Sequence, residues 1–460
     1  MKSVDLINRL FSFLPNNQKY YLANRFNNIP NRLIYGATFK TEYEKIEQSE
    51  KLSFDEIQTI QFNKLKTVIN NAYNYTKYYN KSFELNNISP EIIKSPEDID
   101  KIPTTDKSII RNNIDELKPN NKRYYLHSNT GGTASSPFFF PESLSSKIKE
   151  RAYLARFYNW HGISEYDSKI SLKSAYFSSG SNCYYNPFLK SIVFPVSEIS
   201  QGRMLDISHT VNCIKPLAIS NSYPSLAYIY ARYINNGFID NPRSIKKIFC
   251  SSETLFAYQT KEIEKAFGCK PVDHYGQNER VSLIQQCKDY QYHIIPEYGF
   301  TEIVDENGCK LVNEGEIGEI VGTSFINDAF PLIRYRTGDY AVVGPKGVCT
   351  CGLPYQRIQS IEGRHGDFLK LKNGTTISPT SLEFVTDKVE NINDIQLIQK
   401  DYDTVEILLV PSERFDKNNE HLIVDQLSIA TNYSLNFNLT LVDNIKRPRN
   451  MKKRFVISNI

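Results

Sequence analysis

The spacing of apolar and polar positions changes twice along the chain. Residues 1 to about 115 show helical spacing, with a long amphipathic stretch over Phe54–Tyr79. From there to about residue 345, short apolar runs alternate with helical segments, which is typical of an α/β domain. Beyond residue 365, LKLKNGTTISP predicts a hairpin with an Asn-Gly turn, and VEILLVPS predicts another strand. The last region therefore differs in fold class from the middle one.

This change of pattern and the length of the chain predict two domains. The 460 residues exceed what one hydrophobic core normally organises. We expect a large N-terminal α/β domain with mixed and parallel sheets over residues 1–363, and a small α+β domain over residues 364–460. The segment GRHGDF is the expected hinge, because Gly366 adds backbone freedom there.

Two strand–turn–helix units in the middle region predict parallel strands. Ile245–Cys250 is a strand candidate, Ala257–Phe267 has helical periodicity, and Pro271–Tyr275 is a second strand. Upstream, a strand over Pro216–Ser220 precedes a helix over Leu226–Ile234. Ligands of such sheets bind at the carboxyl ends of the strands, so SNSYPS, SSETL and HYGQNE are expected at one edge.

The stretch HYGQNER has two interpretations from its residues alone. Val281–Cys287, which follows it, shows helical spacing, so HYGQNER is interpreted as a strand-to-helix turn. Glu279 could then simply complement the dipole of a helix start. The concentration of polar groups at the expected binding edge favours a site instead.

Composition and charge exclude several function classes. The net charge of +4 is too small to indicate nucleic-acid binding by itself. The N-terminal residues lack the apolar core of a signal peptide, because Asp5 and Arg9 interrupt it, and no segment is apolar for long enough to span a bilayer. We therefore expect a cytoplasmic protein without a transmembrane segment. A homodimer is compatible with the sequence.

Five stretches, taken in order, resemble one enzyme superfamily. They are TGGTASSP (130–137), SSETL (251–255), HYGQNER (274–280), PLIRYRTGD (331–339) and IEGRHGD (361–367). Together they resemble the adenylate-forming enzymes, most closely the phenylacetate–CoA ligase/CapK-like branch. The tail RPRNMKKRFVIS resembles the C-terminal lysine segment of that family. The resemblance implies the adenylate-forming fold, in which the small domain over residues 364–460 is a mobile lid, with ATP and Mg²⁺ as cofactors.

The resemblance also implies roles for individual residues. Tyr275 would stack on adenine, Gly276 would let the backbone approach the nucleotide, and Glu279 would hold Mg²⁺ against the phosphates. Asn278 stands where many relatives have a hydroxyl and would donate to the α-phosphate. Asp339, after a probable strand, would accept hydrogen bonds from the ribose hydroxyls.

Two basic residues complete the implied site. Arg364 would meet ribose or phosphate, and Lys452 would stabilise the charge that develops during adenylation, with Lys453 as the alternative register. Further nucleotide contacts are expected from Thr130, Gly131, Gly132, Thr133, Ser251, Ser252, Glu253 and Gln277. The pocket for the acid is expected to include Ser222, Tyr223, Pro224 and Ser225.

The implied reaction has two halves. A carboxylate attacks the α-phosphate of ATP, and the acyl-adenylate then passes its acyl group to a thiol, such as CoA or a carrier, or to an amine. The CapK-like motifs suggest surface-polysaccharide or specialised metabolism. In the phosphate loop, however, Ser135 and Ser136 stand where the family often has glycine and lysine. A nucleotide-binding assembly partner without catalysis therefore remains the alternative, and a nucleic-acid-binding protein led by the basic tail is a third.

Three of the eight cysteines, together with one of the seven histidines, suggest a metal site. Cys287, His293, Cys349 and Cys351 offer three thiolates and one imidazole, a complete tetrahedral set for structural Zn²⁺. Some relatives in this branch have cysteines and a histidine in similar places. Ordinary buried thiols and a hydrogen-bonded histidine are the equally open alternative.

Overall fold

The chain folds into two compact units, each built from segments that are distant in sequence. The computed structural model describes residues 21, 23, 25–121, 126–129, 139–173, 183–187, 189–196, 200–382, 392–412, 415–445 and 454–460. The first unit comprises Met1–Asn28, Tyr166–Asp273 and Glu362–Ile460, and the second comprises Ile29–Glu165 and His274–Ile361. Among the described helices, none has the length and apolar character needed to cross a membrane. The expected domain boundary at residue 363 stays a prediction.

Helices and strands are numbered in chain order over the described residues. The helices are α1 Asn31–Ser49, α2 Phe54–Tyr75, α3 Lys77–Leu85, α4 Lys107–Asn112, α5 Leu144–Trp160, α6 Gln201–Ile214, α7 Pro224–Asn235, α8 Ala257–Phe267 and α9 Lys417–Ala430. The first ten strands are β1 Leu126–Asn129, β2 Phe139–Glu142, β3 Lys169–Lys173, β4 Tyr184–Asn186, β5 Ser191–Pro195, β6 Ala218–Ser222, β7 Lys247–Ser251, β8 Val272–Gly276, β9 Leu283–Gln286 and β10 Tyr292–Ile294. The others are β11 Gly299–Val304, β12 Ile317–Ser324, β13 Tyr335–Val343, β14 Arg357–Arg364, β15 Leu369–Lys370, β16 Thr376–Ile377, β17 Ile392–Gln399, β18 Thr404–Pro411, β19 Asn436–Leu441 and β20 Val456–Ser458.

The first unit contains the parallel strands that the sequence predicts. Its strands are ordered β7-β6-β3-β5-β4, and β6 runs parallel to both β3 and β7. Helix α7 connects β6 to β7, and α8 covers the residues predicted for it and ends at Gly268 in the left-handed conformation. Apolar residues of these strands and of α6, α7 and α8 form one core. The α/β fold class is thereby confirmed for this unit.

The C-terminal residues add a second sheet to the first unit. Strands β19, β18, β17 and β20 lie side by side in that order, and α9 packs on them. The hairpin predicted from LKLKNGTTISP is present, with Leu369 opposite Ile377 and Gly374 at φ 84°. The ring of Phe455 lies 5.2 Å from that of Phe256. This α+β segment thus shares a core with the start of α8.

The second unit is a mixed sheet with helices on it. Its strands are ordered β11-β12-β13-β14-β10-β9-β8, and the pairs β8–β9, β9–β10, β10–β14, β11–β12 and β12–β13 are antiparallel. Helices α1 and α5 pack with β9 in one core, while α2 and α3 pack with β11 and β13 in another. Strands β1 and β2 form a separate antiparallel pair, in which Leu126 lies opposite Glu142.

Two helix predictions for the second unit are wrong. The stretch Phe54–Tyr79 is two helices, because Thr76 is extended and its hydroxyl accepts from the Tyr79 N–H at the start of α3. Val281–Cys287 holds strand β9 and not a helix. All residues of β9 are buried, so its sequence lacks the alternation of apolar and polar residues that marks a strand with one solvent-exposed face.

A buried arginine joins three segments of the second unit. Arg334, only 2% exposed, donates to both carboxylate oxygens of Glu302, at 3.2 and 2.9 Å. It also donates to the carbonyl of Ile102 at 2.9 Å and to that of Gly308 at 2.6 Å. This guanidinium therefore fixes the start of β13 against β11 and the chain before α4.

Replacing Arg334 should destabilise the protein strongly. Arg334→Gln leaves Glu302 buried without its cation, which costs about 3–5 kcal/mol of unfolding free energy. Lys81→Gln removes only the exposed pair with Glu116 and should change it by less than about 1 kcal/mol. Urea unfolding followed by circular dichroism measures both. Equal effects of the two substitutions would contradict the role given to Arg334.

Candidate functional site

Tyr275 and Asp339, two residues predicted for the nucleotide site, are in contact in the second unit. Tyr275 lies near the end of β8, and its hydroxyl donates to Asp339 Oδ2 at 2.8 Å. The side-chain amide of Gln277 donates to the same hydroxyl at 3.3 Å. Tyr275 and Asp339 are both half-buried, so the tyrosine ring and the carboxylate keep accessible surface on which a ligand can bind.

Asp339 lies inside a strand and not after one. Strand β13 continues to Val343, so the expected strand end at Asp339 is wrong. Gly338 has φ 76°, and its N–H donates to Glu319 Oε1 at 2.8 Å, where the register with β12 shifts. This irregularity breaks the alternation of side chains, and it is invisible in the sequence because Gly-Asp also forms ordinary turns.

Glu279 lies four residues after Tyr275, on the connection between β8 and β9. Its carboxylate is 9% exposed and accepts from the hydroxyl of Tyr335 at 3.2 Å. Tyr335 is the first residue of β13, the strand that carries Asp339. Two hydrogen bonds therefore join β13 to the segment around Glu279: Tyr335 donates to Glu279, and Tyr275 donates to Asp339. Asn278 lies on this connection as well, and Gly276 is the last residue of β8.

Two glycines leave room for the backbone that follows Glu279. A Cβ on Gly299 would lie 2.3 Å from the carbonyl oxygen of Val281, and one on Gly322 would lie 2.6 Å from it. Both distances are far below van der Waals contact. The backbone of Val281 is thus packed directly against β11 and β12.

In the first unit, the ends of β6 and β7 bring two of the predicted loops together. Ser251 donates to the side-chain oxygen of Asn221 at 2.5 Å, and the N–H of Ser225 donates to Glu253 Oε2 at 3.2 Å. Ser252, between them, is left-handed with φ 76°. SNSYPS and SSETL therefore share one sheet edge, as the parallel topology predicts.

The residues predicted for the acid pocket differ in exposure. Ser222 is fully buried, and its hydroxyl accepts from the N–H of Leu172 at 2.7 Å, so it ties β6 to β3. Pro224 and Ser225 are buried at the start of α7, whereas Tyr223 is half-buried. Tyr223 is thus the member of this group whose side chain keeps accessible surface.

The structure describes only some of the remaining residues of the implied site. Arg364 ends β14 and is half-buried. Thr130, Gly131, Gly132, Thr133, Lys452 and Lys453 lie outside the described residues. Arg454, which follows them, pairs with Asp367 directly after the expected hinge glycine. Burial raises the pKa of Asp367.

The four metal-ligand candidates lie together in the second unit. The ligand atoms of Cys287, His293, Cys349 and Cys351 are all within 4.8 Å of one another. Two sulfurs, those of Cys287 and Cys349, are 4.0 Å apart, and Cys351 Sγ lies 3.4 Å from His293 Nε2. In a tetrahedral zinc site, sulfurs 2.3 Å from the metal stand about 3.8 Å apart. The four side chains therefore match the size of a zinc site.

The electrostatics of this group suit a cation. Burial lowers the pKa of His293 to about 4, so its imidazole is neutral near pH 7. Burial raises the pKa of Cys287, and burial together with the neighbouring thiols raises that of Cys351 to about 12. For Cys349, hydrogen bonds from Cys351 outweigh burial and lower the pKa. A bound cation would remove the cost of holding several thiolates together.

A charged cluster that the sequence did not suggest lies next to these four side chains. His293 Nδ1 is 3.3 Å from the carbonyl of Tyr355, whose hydroxyl donates to Glu297 at 2.7 Å. Glu297 also pairs at 3.2 Å with Arg156, which is buried on α5 and contacts the end of α1 through the Ile46 carbonyl. Arg156 occurs in an ordinary amphipathic helix, so no local signal marks it.

Comparisons with known proteins confirm the resemblance read from the motifs. Residues 369–459 match the family model of the CapK C-terminal domain. The chain is 26% identical over 402 residues to protein CapK of Staphylococcus aureus, covering 84% of this chain and 87% of that protein. It is 24% identical over 390 residues to a phenylacetate–coenzyme A ligase of Aromatoleum evansii, covering 82% and 87%.

The fold is also that of solved adenylate-forming enzymes. The structure of a 2-hydroxyisobutyryl-CoA ligase in the postadenylation state, in complex with R3-HIB-AMP, superposes with a TM-score of 0.75. The match covers 90% of this chain and 92% of that one at 20% identity. The predicted fold class is therefore confirmed for the chain as a whole.

Adding a methyl group at Gly322 should disturb the Glu279 connection. Gly322→Ala forces Val281 away from β12 and should cost about 1–3 kcal/mol of unfolding free energy. Gly202→Ala, on α6, is the matched control, because nothing lies within 4 Å of the added carbon. It should be neutral or stabilising by up to about 1 kcal/mol. Thermal unfolding distinguishes the two, and an unchanged Gly322→Ala protein would contradict the tight packing.

Proposed function

We propose that the chain activates a carboxylic acid with ATP and transfers the acyl group to a thiol. The observation that carries this proposal is the contact of Tyr275, near the end of β8, with Asp339 on β13, next to the connection that bears Glu279. An aromatic ring, a half-buried carboxylate and a second carboxylate are what adenine, ribose and a phosphate-bound cation would contact. The similarity to phenylacetate–coenzyme A ligases supports the same chemistry.

The first half-reaction forms the acyl-adenylate. An oxygen of the substrate carboxylate attacks the α-phosphorus of ATP, a new P–O bond forms, and the bond to pyrophosphate breaks. Asp339 orients the ribose and Tyr275 packs on the base, and Glu279 is the residue that would hold Mg²⁺. When bound, Mg²⁺ would neutralise phosphate charge. Lys452 stabilises the charge of the transition state.

The second half-reaction releases AMP. A thiolate sulfur attacks the acyl carbon of the mixed anhydride, a C–S bond forms, and the C–O bond to AMP breaks. The names of the relatives support CoA as the acceptor, because the Aromatoleum evansii protein is a ligase for coenzyme A. Catalysis in both halves rests mostly on positioning and on charge stabilisation.

A nucleotide-binding partner without catalysis is the second candidate. Ser135 and Ser136 favour it, because they remove the glycine and the lysine that the family often has in the phosphate loop. Such a protein would bind ATP and Mg²⁺ through the same residues but would not form an adenylate.

Pyrophosphate exchange into ATP distinguishes the two candidates. With a panel of aliphatic, aromatic and hydroxy acids, the wild-type protein should exchange with at least one acid. Glu279→Gln and Lys452→Ala should each lower the rate at least 100-fold, because a charge-stabilising group is lost from the transition state. Lys453→Ala is the matched control and should retain most of the rate. Tight ATP binding without exchange for any acid would favour the partner, and loss of exchange in Lys453→Ala alone would move the role to that lysine.

We also propose that Cys287, His293, Cys349 and Cys351 hold a structural Zn²⁺. The support is the mutual distance of their ligand atoms and the neutral state of His293 near pH 7. Four protein ligands leave no open position, so the ion would have a structural and not a catalytic role. Through Tyr355, the ion would stabilise the Arg156 cluster.

Metal analysis tests the zinc site directly. The purified protein should carry one zinc per chain, and Cys351→Ser should lose most of it and unfold at a lower temperature. Cys309→Ser is the matched control, since Cys309 is exposed, and it should retain both zinc and stability. A metal-free preparation that unfolds at the same temperature as the zinc-loaded protein would end the proposal.

A further inference from the structure

Arg280, the residue after Glu279, has an unusual backbone and a buried side chain. Its φ is 54°, in the left-handed region that residues other than glycine rarely adopt. The residue is nevertheless only 7% exposed. A strained backbone at a buried cation persists only where the surroundings hold it in place.

Two carboxylates from one segment hold the guanidinium. Nη1 of Arg280 pairs with Glu142, the fully buried last residue of β2. Nη2 donates to Glu150 Oε2 on α5 at 2.9 Å. Glu142 is itself fixed, because it accepts from Ser128 on β1 and pairs with Lys147 at 3.1 Å. The guanidinium is therefore anchored to the β1–β2 pair and to α5.

The backbone on either side of Arg280 is fixed as well. Its N–H donates to the carbonyl of Gln277 at 3.1 Å, and the following carbonyl of Val281 is packed against Gly299 and Gly322. The left-handed turn at Arg280 lies directly after Glu279, whose carboxylate meets the Tyr335 hydroxyl. The direction of the Glu279 side chain thus depends on a turn that the Arg280 ion pairs stabilise.

We propose that Arg280 is a positioning residue that holds the Glu279 carboxylate in place for the cation of the nucleotide. The inference rests on the proposed function, in which Glu279 is a ligand of Mg²⁺. Arginine suits this position because its planar, forked guanidinium donates to two carboxylates at once, which lysine cannot do with the same geometry. Arg280 itself does not contact the substrate.

The predicted consequence is specific for Mg²⁺. Without the two ion pairs, the turn relaxes and Glu279 samples other directions, so a higher concentration of Mg²⁺ is needed to occupy the site. The affinity for the carboxylic acid does not depend on this turn. A merely structural arginine would lower the unfolding temperature and leave the Mg²⁺ requirement unchanged.

The experiment is a titration of free Mg²⁺ in the pyrophosphate exchange assay. For Arg280→Gln, the Mg²⁺ concentration at half-maximal rate should rise at least tenfold, while the KM of the acid stays within twofold. Arg280→Lys keeps the charge and should show a smaller rise of at least threefold. It also keeps the test valid if Arg280→Gln does not fold. Arg156→Lys is the matched control, because it alters an equally buried arginine with carboxylate partners elsewhere in the unit; its Mg²⁺ requirement should be that of the wild type.

The outcomes separate this inference from the proposed function. Unfolding temperatures that fall for Arg280→Lys with an unchanged Mg²⁺ requirement would overturn the positioning role. Equal rises for Arg280→Lys and Arg156→Lys would overturn it too. If the wild type exchanges with no acid, the proposed function fails, and the Mg²⁺ dependence of ATP binding is measured by calorimetry instead. A shift for Arg280→Lys in that assay supports the positioning role, and no shift overturns it.

Discussion

A buried guanidinium must be paired, and this requirement organises the second unit. Removing an arginine from water is costly unless carboxylates and carbonyls surround it. Arg156, Arg280 and Arg334 are each less than a tenth exposed, and each contacts at least one carboxylate from a segment distant in sequence. The partners cannot move apart without exposing a charge to an apolar interior. These three side chains therefore define which segments lie together.

Each of the three arginines supports a different part of the candidate site. Arg334 fixes the start of β13, the strand of Asp339. Arg280 is proposed to hold the turn after Glu279, and Arg156 contacts the hydroxyl of Tyr355, whose carbonyl lies beside His293 of the Cys/His group. Rigid support of this kind is what a site needs when its chemistry consists of positioning and of charge stabilisation. The hydrophobic cores fill the unit, but the ion pairs determine where its functional side chains lie.

Local patterns were enough to predict much of the fold. Helix α8 and its terminal Gly268, the parallel order of β6 and β7, and the hairpin at Asn373-Gly374 follow from periodicity and turn residues. The errors have a common cause. Strand β9 is buried on both faces, so the period of two is absent, and the break at Thr76 depends on a hydroxyl that caps the next helix. In both cases the deciding contact lies outside the pattern that the prediction used.

The residues of the candidate site also differ in whether the sequence alone could identify them. Tyr275, Asp339 and the four Cys/His residues were predicted as site candidates from their chemical type and from motifs, and the structure places Tyr275 against Asp339 and the Cys/His side chains close to one another. The role of Arg280 could not be named, because an arginine after a glutamate is compatible with any exposed turn. The proposed role of Arg280 rests on its ion pairs with Glu142 and Glu150, which lie more than a hundred residues earlier in the chain. Residues that contact a ligand leave a signature in the sequence, whereas residues that hold them in place become recognisable only through their tertiary partners.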